Sequence, residues 1–290
     1  MIGIIFALAA AVAAQTSPPA AAQTPAPLET PQLPVPADAK LPTLFLIGDS
    51  TVRNGKGDGS NGQWGWGEPL VGFFDASRIN VVNRALGGRS SRTYLTQGHW
   101  DRLLEMLKPG DFVVIQFGHN DSSPLDDTAR ARGTLKGVGE ETQEIDNPIT
   151  KRHEVVHTYG WYLRQFIASA RAKGATPILC TLIPRKAWQD GKIVRNELDY
   201  AAWAAAVAKA EKVPLIDLNG MIARRYDALG PEKVEPLFAD PRTHTSRAGA
   251  EMNAEYVVAG LKGLAGNPLA AYLSEKGKGV AAESGDRPTQ

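Results

Sequence analysis

The sequence predicts an α/β fold, a three-layer α/β/α sandwich built on a doubly wound, mostly parallel five-stranded sheet. Three observations predict it. Five short runs are nearly continuous in apolar, often β-branched residues, as strands covered on both faces are. Longer stretches of helical period lie between them, and right-handed crossovers then place helices on both sides of the sheet. The 290 residues, 43% hydrophobic and 22% charged, suffice for one large core.

In chain order, the apolar run Ile2 to Ala14 is too short to span a bilayer and ends in small residues, so residues 1–22 are expected to be an export signal peptide. A periplasmic or secreted protein follows from that expectation. Residues 23–40 are rich in Pro and Ala and predict an extended linker. The folded domain is expected over 41–274, and residues 275–290, without apolar period, as a disordered tail. Within the domain the strands are expected at Thr43 to Ile47, Ile79 to Asn83, Asp111 to Phe117, Thr176 to Leu182 and Val213 to Asp217. Helices are expected at Glu68 to Phe74, Trp100 to Leu107, Val155 to Lys173, Asn196 to Glu211, Leu218 to Tyr226 and Arg247 to Leu264, the last with Ser246 as its N-cap. Ser122 to Arg152 shows no core pattern and reads as a long functional or mobile loop.

Composition excludes several functions. Lys and Arg number 32 against 31 Asp and Glu, a net charge of +1, so neither a nucleic-acid track nor an anionic membrane surface is expected as partner. The single cysteine, Cys180, sits in an apolar run and reads as a buried, inert thiol.

In an open α/β sheet, ligands bind beyond the carboxyl ends of the strands. The first apolar run is followed by Gly48-Asp49-Ser50-Thr51, the second by Ala85-Leu86-Gly87-Gly88-Arg89-Ser90, and the third by Gly118-His119-Asn120-Asp121. Arg185 and Trp188 follow the fourth, and Asp240-Pro241-Arg242-Thr243-His244 lies beyond the fifth and a helix. One sheet edge thus gathers a nucleophile, a base and donors for a developing oxyanion, the parts that acyl transfer needs. Each motif alone has a plain structural reading as a turn or a cap. Their order, each after a strand, is what carries weight.

On these four blocks the sequence resembles the SGNH (GDSL-like) hydrolases, and within them the rhamnogalacturonan acetylesterase-like branch, over about Leu44 to Leu264. Arg89-Ser90-Ser91-Arg92 and Trp64-Gly65-Trp66-Gly67 also resemble that branch. The resemblance implies a flavodoxin-like fold and a serine esterase that removes O-acetyl groups from pectic polysaccharide through an acyl-enzyme, without metal or organic cofactor. It implies Ser50 as nucleophile, His244 as base, and Ser50, Gly88 and Asn120 as the oxyanion hole. One element departs: the family places its acid three residues before the histidine, where this chain has Pro241, and the nearest carboxylate is Asp240. A turn with one extra residue could bring Asp240 under the imidazole and complete a triad. Arg53, Arg89, Arg92 and Arg185 are candidates for binding substrate carboxylates, and Trp64, Trp66, Tyr94 and Trp188 for stacking on sugar rings. The expected partner is an acetylated acidic oligo- or polysaccharide, and the expected state a monomer.

Two rivals come from other classes. His153-Glu154-Val155-Val156-His157 matches the zinc-protease pattern, which on a helix puts both histidines on one face with Glu154 placed to activate water. A non-catalytic carbohydrate-binding protein would use the same arginines and tryptophans without turnover.

Overall fold

The structure, a computed structural model, describes residues 33–195 and 199–283. Its strands are β1 (Thr43–Gly48), β2 (Asn80–Asn83), β3 (Phe112–Gln116), β4 (Thr142–Asn147), β5 (Arg152–His157), β6 (Thr176–Cys180), β7 (Trp188–Gln189), β8 (Lys192–Ile193) and β9 (Leu215–Ile216). Its α-helices are α1 (Gly67–Leu70), α2 (Ser91–Thr96), α3 (His99–Leu104), α4 (Tyr159–Ala172), α5 (Tyr200–Glu211), α6 (Leu218–Leu229), α7 (Pro231–Val234), α8 (Arg247–Gly263) and α9 (Glu275–Gly279).

The five predicted apolar runs supply one parallel sheet, in the order β2-β1-β3-β6-β9. Successive side chains of a strand point to opposite faces, so a strand without polar alternation must be covered twice. Leu44, Leu46, Phe112 and Val114 enter one core with Met221 and Ile222 of α6 and Val257 and Val258 of α8. Phe45, Ile47, Val113 and Ile115 enter the other with Trp100 of α3, Phe166 of α4 and Val207 of α5. The chain leaves β1 for β2 on one side and returns to β3 on the other. The carboxyl ends of β1 and β3 therefore flank the topological switch point, where diverging loops leave a crevice.

Several boundaries differ from expectation. The stretch read as one loop from Ser122 to Arg152 holds β4, which pairs antiparallel with β5, and buries Ala131, Thr134, Ile145 and Asn147. The helix expected from Val155 begins instead at Tyr159, where Thr158 caps it by accepting from the Trp161 N–H at 3.1 Å. Val155-Val156 is β-branched, and its strand partner lies in the preceding segment, which local periodicity does not reveal.

Packed residues also lie outside the expected bounds of the domain. Leu33, ahead of the expected domain start, is already packed, and Arg84 Nη1 donates to the carbonyls of Leu33 at 3.2 Å and Pro34 at 3.0 Å. From Ser274 to Glu283 the chain packs on the domain: Ser274 caps α9, Val280 is buried, and Glu283 pairs with Arg224 at 2.9 Å. The expected export signal, the linker up to residue 32, residues 196–198 of the expected fourth helix and residues 284–290 lie outside the described residues. No helix among the described residues is long and apolar enough to cross a membrane.

Candidate active site

β1 delivers Ser50 to the crevice through a turn that only small residues allow. A Cβ on Gly48 would lie 2.6 Å from the Gln116 carbonyl oxygen, so the strand end must be glycine to pass β3 this closely. Asp49 is fully buried, and its Oδ1 accepts from the N–H of Thr51 at 2.8 Å and from its hydroxyl at 2.7 Å. That carboxylate orders the turn, and Ser50 projects from it.

The histidine arrives from the far end of the chain. His244 Nε2 lies 2.9 Å from Ser50 Oγ, and its Nδ1 is hydrogen-bonded to Asp240 Oδ2. Its loop is tied to the serine loop through Trp64, whose N–H donates to the Thr245 carbonyl at 2.9 Å and whose carbonyl accepts from the Thr245 hydroxyl at 2.7 Å. Ser246 then caps α8 by accepting from the Gly249 N–H.

Asp240 reaches the ring despite its offset because its other oxygen closes a turn. Oδ1 accepts from the backbone N–H groups of Arg242 at 2.9 Å, Thr243 at 2.7 Å and His244 at 3.2 Å. The additional residue, Pro241, is absorbed in that turn. Burial pushes the Asp240 carboxyl up, but hydrogen bonds from the Thr243 and Arg242 amides and from His244 outweigh it and hold it at about 2. It is therefore an anion at any pH where an imidazole can act as base.

Opposite the hydroxyl stands the glycine turn. Arg89 N–H closes it on the Leu86 carbonyl at 3.3 Å, and Gly88 has φ +76°, a left-handed conformation that favours glycine. A Cβ on Gly87 would stand 3.8 Å from Ser50 Cβ, which sets the distance between turn and nucleophile. Among the described residues, neither the Ser50 nor the Gly88 backbone N–H donates to another group of the protein. Asn120 is buried and spends one amide hydrogen on the Arg89 carbonyl at 2.8 Å, which leaves its second amide hydrogen for a ligand.

Behind these donors lies a buried acid that the sequence reading left without a role. Asp121 accepts from the Ser91 N–H at 3.0 Å, the Ser91 hydroxyl at 2.5 Å and the Gly118 N–H at 3.0 Å. Complete burial, with the charge of Asp49 adding to it, pushes its carboxyl up to about 7 against those hydrogen bonds. Beside Asn120 a pocket is lined by Gly118, His119, Leu182, Pro184, Arg185 and Tyr200.

Of the residues proposed for substrate binding, the structure leaves some near solvent and removes others. Trp66 is fully buried and donates its indole N–H to Gln116 Oε1 at 2.9 Å, so it cannot stack on a sugar. Tyr94 is likewise in the core, its hydroxyl on the Arg84 carbonyl. Arg92 is fully buried and holds Glu154 with two hydrogen bonds, at 2.8 and 2.7 Å. Arg53 is paired with Glu68 at 3.2 Å. Trp64 remains half-buried with the Arg247 guanidinium over its ring, and Trp188 packs partly on the core from the β7–β8 hairpin. Arg89 is half-buried, its Nε on His99 at 3.3 Å, and Arg185 donates to the His119 carbonyl at 3.1 Å.

The zinc-like segment does not form a metal centre. It lies on β5, where His153 and His157 are four positions apart along the strand, about 13 Å at the usual rise, and Glu154 points to the opposite face. Glu154 is committed to Arg92 and to the Asn147 amide at 2.6 Å, and His157 stacks on Trp161 with ring centroids 3.8 Å apart. The cysteine reading fits the structure: Cys180 is buried, and desolvation raises its thiol pKa.

Comparison with known proteins identifies the family. Residues 46–252 match the model of the GDSL-like lipase/acylhydrolase family. The chain is 35% identical over 231 residues to "Probable rhamnogalacturonan acetylesterase YesY" of Bacillus subtilis, covering 78% of this chain and 94% of that one. It is 29% identical over 214 residues to the rhamnogalacturonan acetylesterase of Emericella nidulans, covering 73% of this chain and 82% of that one. The crystal structure of YxiM from Bacillus subtilis superposes with a TM-score of 0.62 at 30% identity. That match covers 77% of this chain and only 56% of the larger one. With the match running from inside β1 to inside α8, the chain belongs to the GDSL-like lipase/acylhydrolase (SGNH) family.

Proposed function

We propose that the protein is a serine carbohydrate O-acetylesterase that removes acetyl groups from an acetylated, acidic pectic polysaccharide of the rhamnogalacturonan kind. The observation that carries this reading is the hydrogen-bonded series from Ser50 Oγ through His244 to Asp240, beside two backbone N–H groups without internal acceptors. In this reading His244 Nε2 takes the Ser50 proton as Oγ attacks the acetyl carbonyl, and Asp240 holds the ring and stabilises the imidazolium. The oxyanion is met by the N–H groups of Ser50 and Gly88 and by the Asn120 amide. The imidazolium gives its proton to the departing sugar oxygen. Water then attacks acetyl-Ser50 by the same relay, releasing acetate and restoring the hydroxyl.

The sugar class is supported by the names of the relatives and by Trp64 and Arg89 near the crevice. A polymer substrate also fits the export expected from residues 1–22. The test is acetate release from acetylated rhamnogalacturonan oligosaccharides, with acetylated xylan for comparison. The wild-type protein should release acetate from the former and folded Ser50→Ala should not; a retained rate would remove the nucleophile and with it the mechanism.

A further inference from the structure

The loop between β3 and β4 carries an arginine into the active site that neither the four motifs nor the strand-end reasoning singles out. Arg132 donates from Nη1 to the Gly88 carbonyl at 3.0 Å and from Nε to Ser123 Oγ at 3.0 Å. Its side chain is half-buried; burial and the neighbouring charge of Arg130 lower its pKa, and the carboxylates of Asp49, Asp127 and Asp121 work against that. Two of those, Asp49 and Asp121, are fully buried beside Ser50 and Asn120, and Asp49 Oδ2 has no hydrogen-bond partner.

The fold goes to some length to deliver this guanidinium. Ala131 is buried at φ +43°, a conformation that disfavours any residue with a Cβ and persists only where its surroundings over-determine it. Asp127 holds that strained turn by accepting from the N–H groups of Ala129, Arg130 and Ala131. Gly133 is so close to the Ser123 carbonyl that a Cβ would stand 1.8 Å from it. Arg92, clamped by Glu154, donates to the Gly133 carbonyl at 2.8 Å and to that of Leu125 at 2.9 Å. The segment that imitates a zinc motif is thus the anchor of the loop that presents Arg132.

We propose that Arg132 is a positioning residue for the oxyanion site: it pins the Gly88 carbonyl and offsets the negative charge buried behind the turn. Two adjacent glycines make a soft turn, and a donor is useful in catalysis only if it already points where negative charge will develop. The buried carboxylate of Asp49, and that of Asp121 in its ionised form, oppose that charge by Coulomb repulsion, and a guanidinium held against the turn offsets part of the opposition. Its effect is confined to the transition state, because the ground-state ester carries no charge at that oxygen.

The inference rests on the serine-esterase reading, and the experiment separates the two. Full-length wild type, Ser50→Ala, Arg132→Gln and Arg132→Lys are assayed on a neutral aryl acetate and on an acetylated oligosaccharide, with binding of a boronic acid as a tetrahedral mimic. Arg132→Gln should lower kcat about 10- to 100-fold on both substrates with KM changed less than about threefold, and weaken the boronate in the same proportion. Arg132→Lys, which keeps the charge without the fork, should recover part of the loss. A kcat within twofold of wild type in Arg132→Gln, or a loss confined to KM, would overturn the proposal. If Arg132→Gln does not fold, Arg132→Lys decides: a loss of roughly threefold or more in kcat and boronate affinity supports the proposal, and smaller changes overturn it. An active Ser50→Ala would instead defeat the esterase reading itself.

Discussion

Replacing Asp240 by Asn isolates the orienting acid with little change in shape. In the wild type one oxygen accepts three backbone N–H groups and the other receives the imidazole, so the amide must choose. The three amides hold the carbonyl oxygen at the Oδ1 position, which turns the NH₂ group towards His244 Nδ1. A donor then faces the ring, which can answer only as the tautomer protonated on Nε2, and that nitrogen can no longer take the Ser50 proton. Loss of the orienting acid in comparable triads costs about four powers of ten in rate, or about 5.4 kcal/mol at 1.36 kcal/mol per tenfold. Steady-state kcat on an aryl acetate, with circular dichroism to confirm folding, measures it. A folded Asp240→Asn enzyme that loses less than about tenfold would show that the Nδ1 contact is dispensable and the relay a dyad.

Other perturbations test separate parts of the molecule. Arg92→Ala leaves Glu154 without its buried partner and should cost about 3–5 kcal/mol of unfolding free energy in a denaturant titration, whereas a substrate-binding arginine would cost little stability. His153→Ala should leave kcat unchanged, and a chelator should lower kcat in neither protein, since that ring stands on the exposed face of β5; chelator-sensitive activity would reopen the metal reading. Gly88→Ala must hold a Cβ at φ +76° and should lose about 1–2 kcal/mol of stability together with most of the activity, and unchanged values of both would refute the assigned turn. The folded-state pKa of Asp121 lies above its unfolded value, so its contribution is fully present below about pH 4 and is lost as pH rises through about 7. Melting temperatures of wild type and Asp121→Asn should therefore shift in the variant's favour between pH 5 and pH 8, and a constant difference would contradict the burial argument.

The central sheet was legible because its strands are buried on both faces and so read as unbroken apolar runs. The positions of Ser50, Gly88 and Asn120 were legible because each follows such a run at a place where the topology must open a crevice, whereas His244, well past β9 and a helix, was singled out by its likeness to a known block. The hairpin of β4 and β5 was not, since its strands are mostly exposed and define each other only by pairing, a relation invisible to local periodicity. The same blindness started the following helix at Val155, inside β5. Arg92, Trp66 and Tyr94 looked like ligands for sugars because long polar or aromatic side chains near a motif carry no mark of which way they point. Arg132 was overlooked for the opposite reason: nothing in its neighbours' sequence indicates that a strained alanine turns it towards a glycine carbonyl far upstream.

The hydrogen bond between Ser50 and His244 joins residues 194 positions apart. A nascent chain that has formed β1, and with it the serine turn, still has no base until the segment around residue 244 is made and docked through Trp64 and Thr245. Esterase activity would then appear at the end of folding, and on gentle heating or nicking ahead of α8 it would vanish while most of the sheet persists. Turnover is accordingly a more sensitive gauge of this molecule's integrity than its helix content.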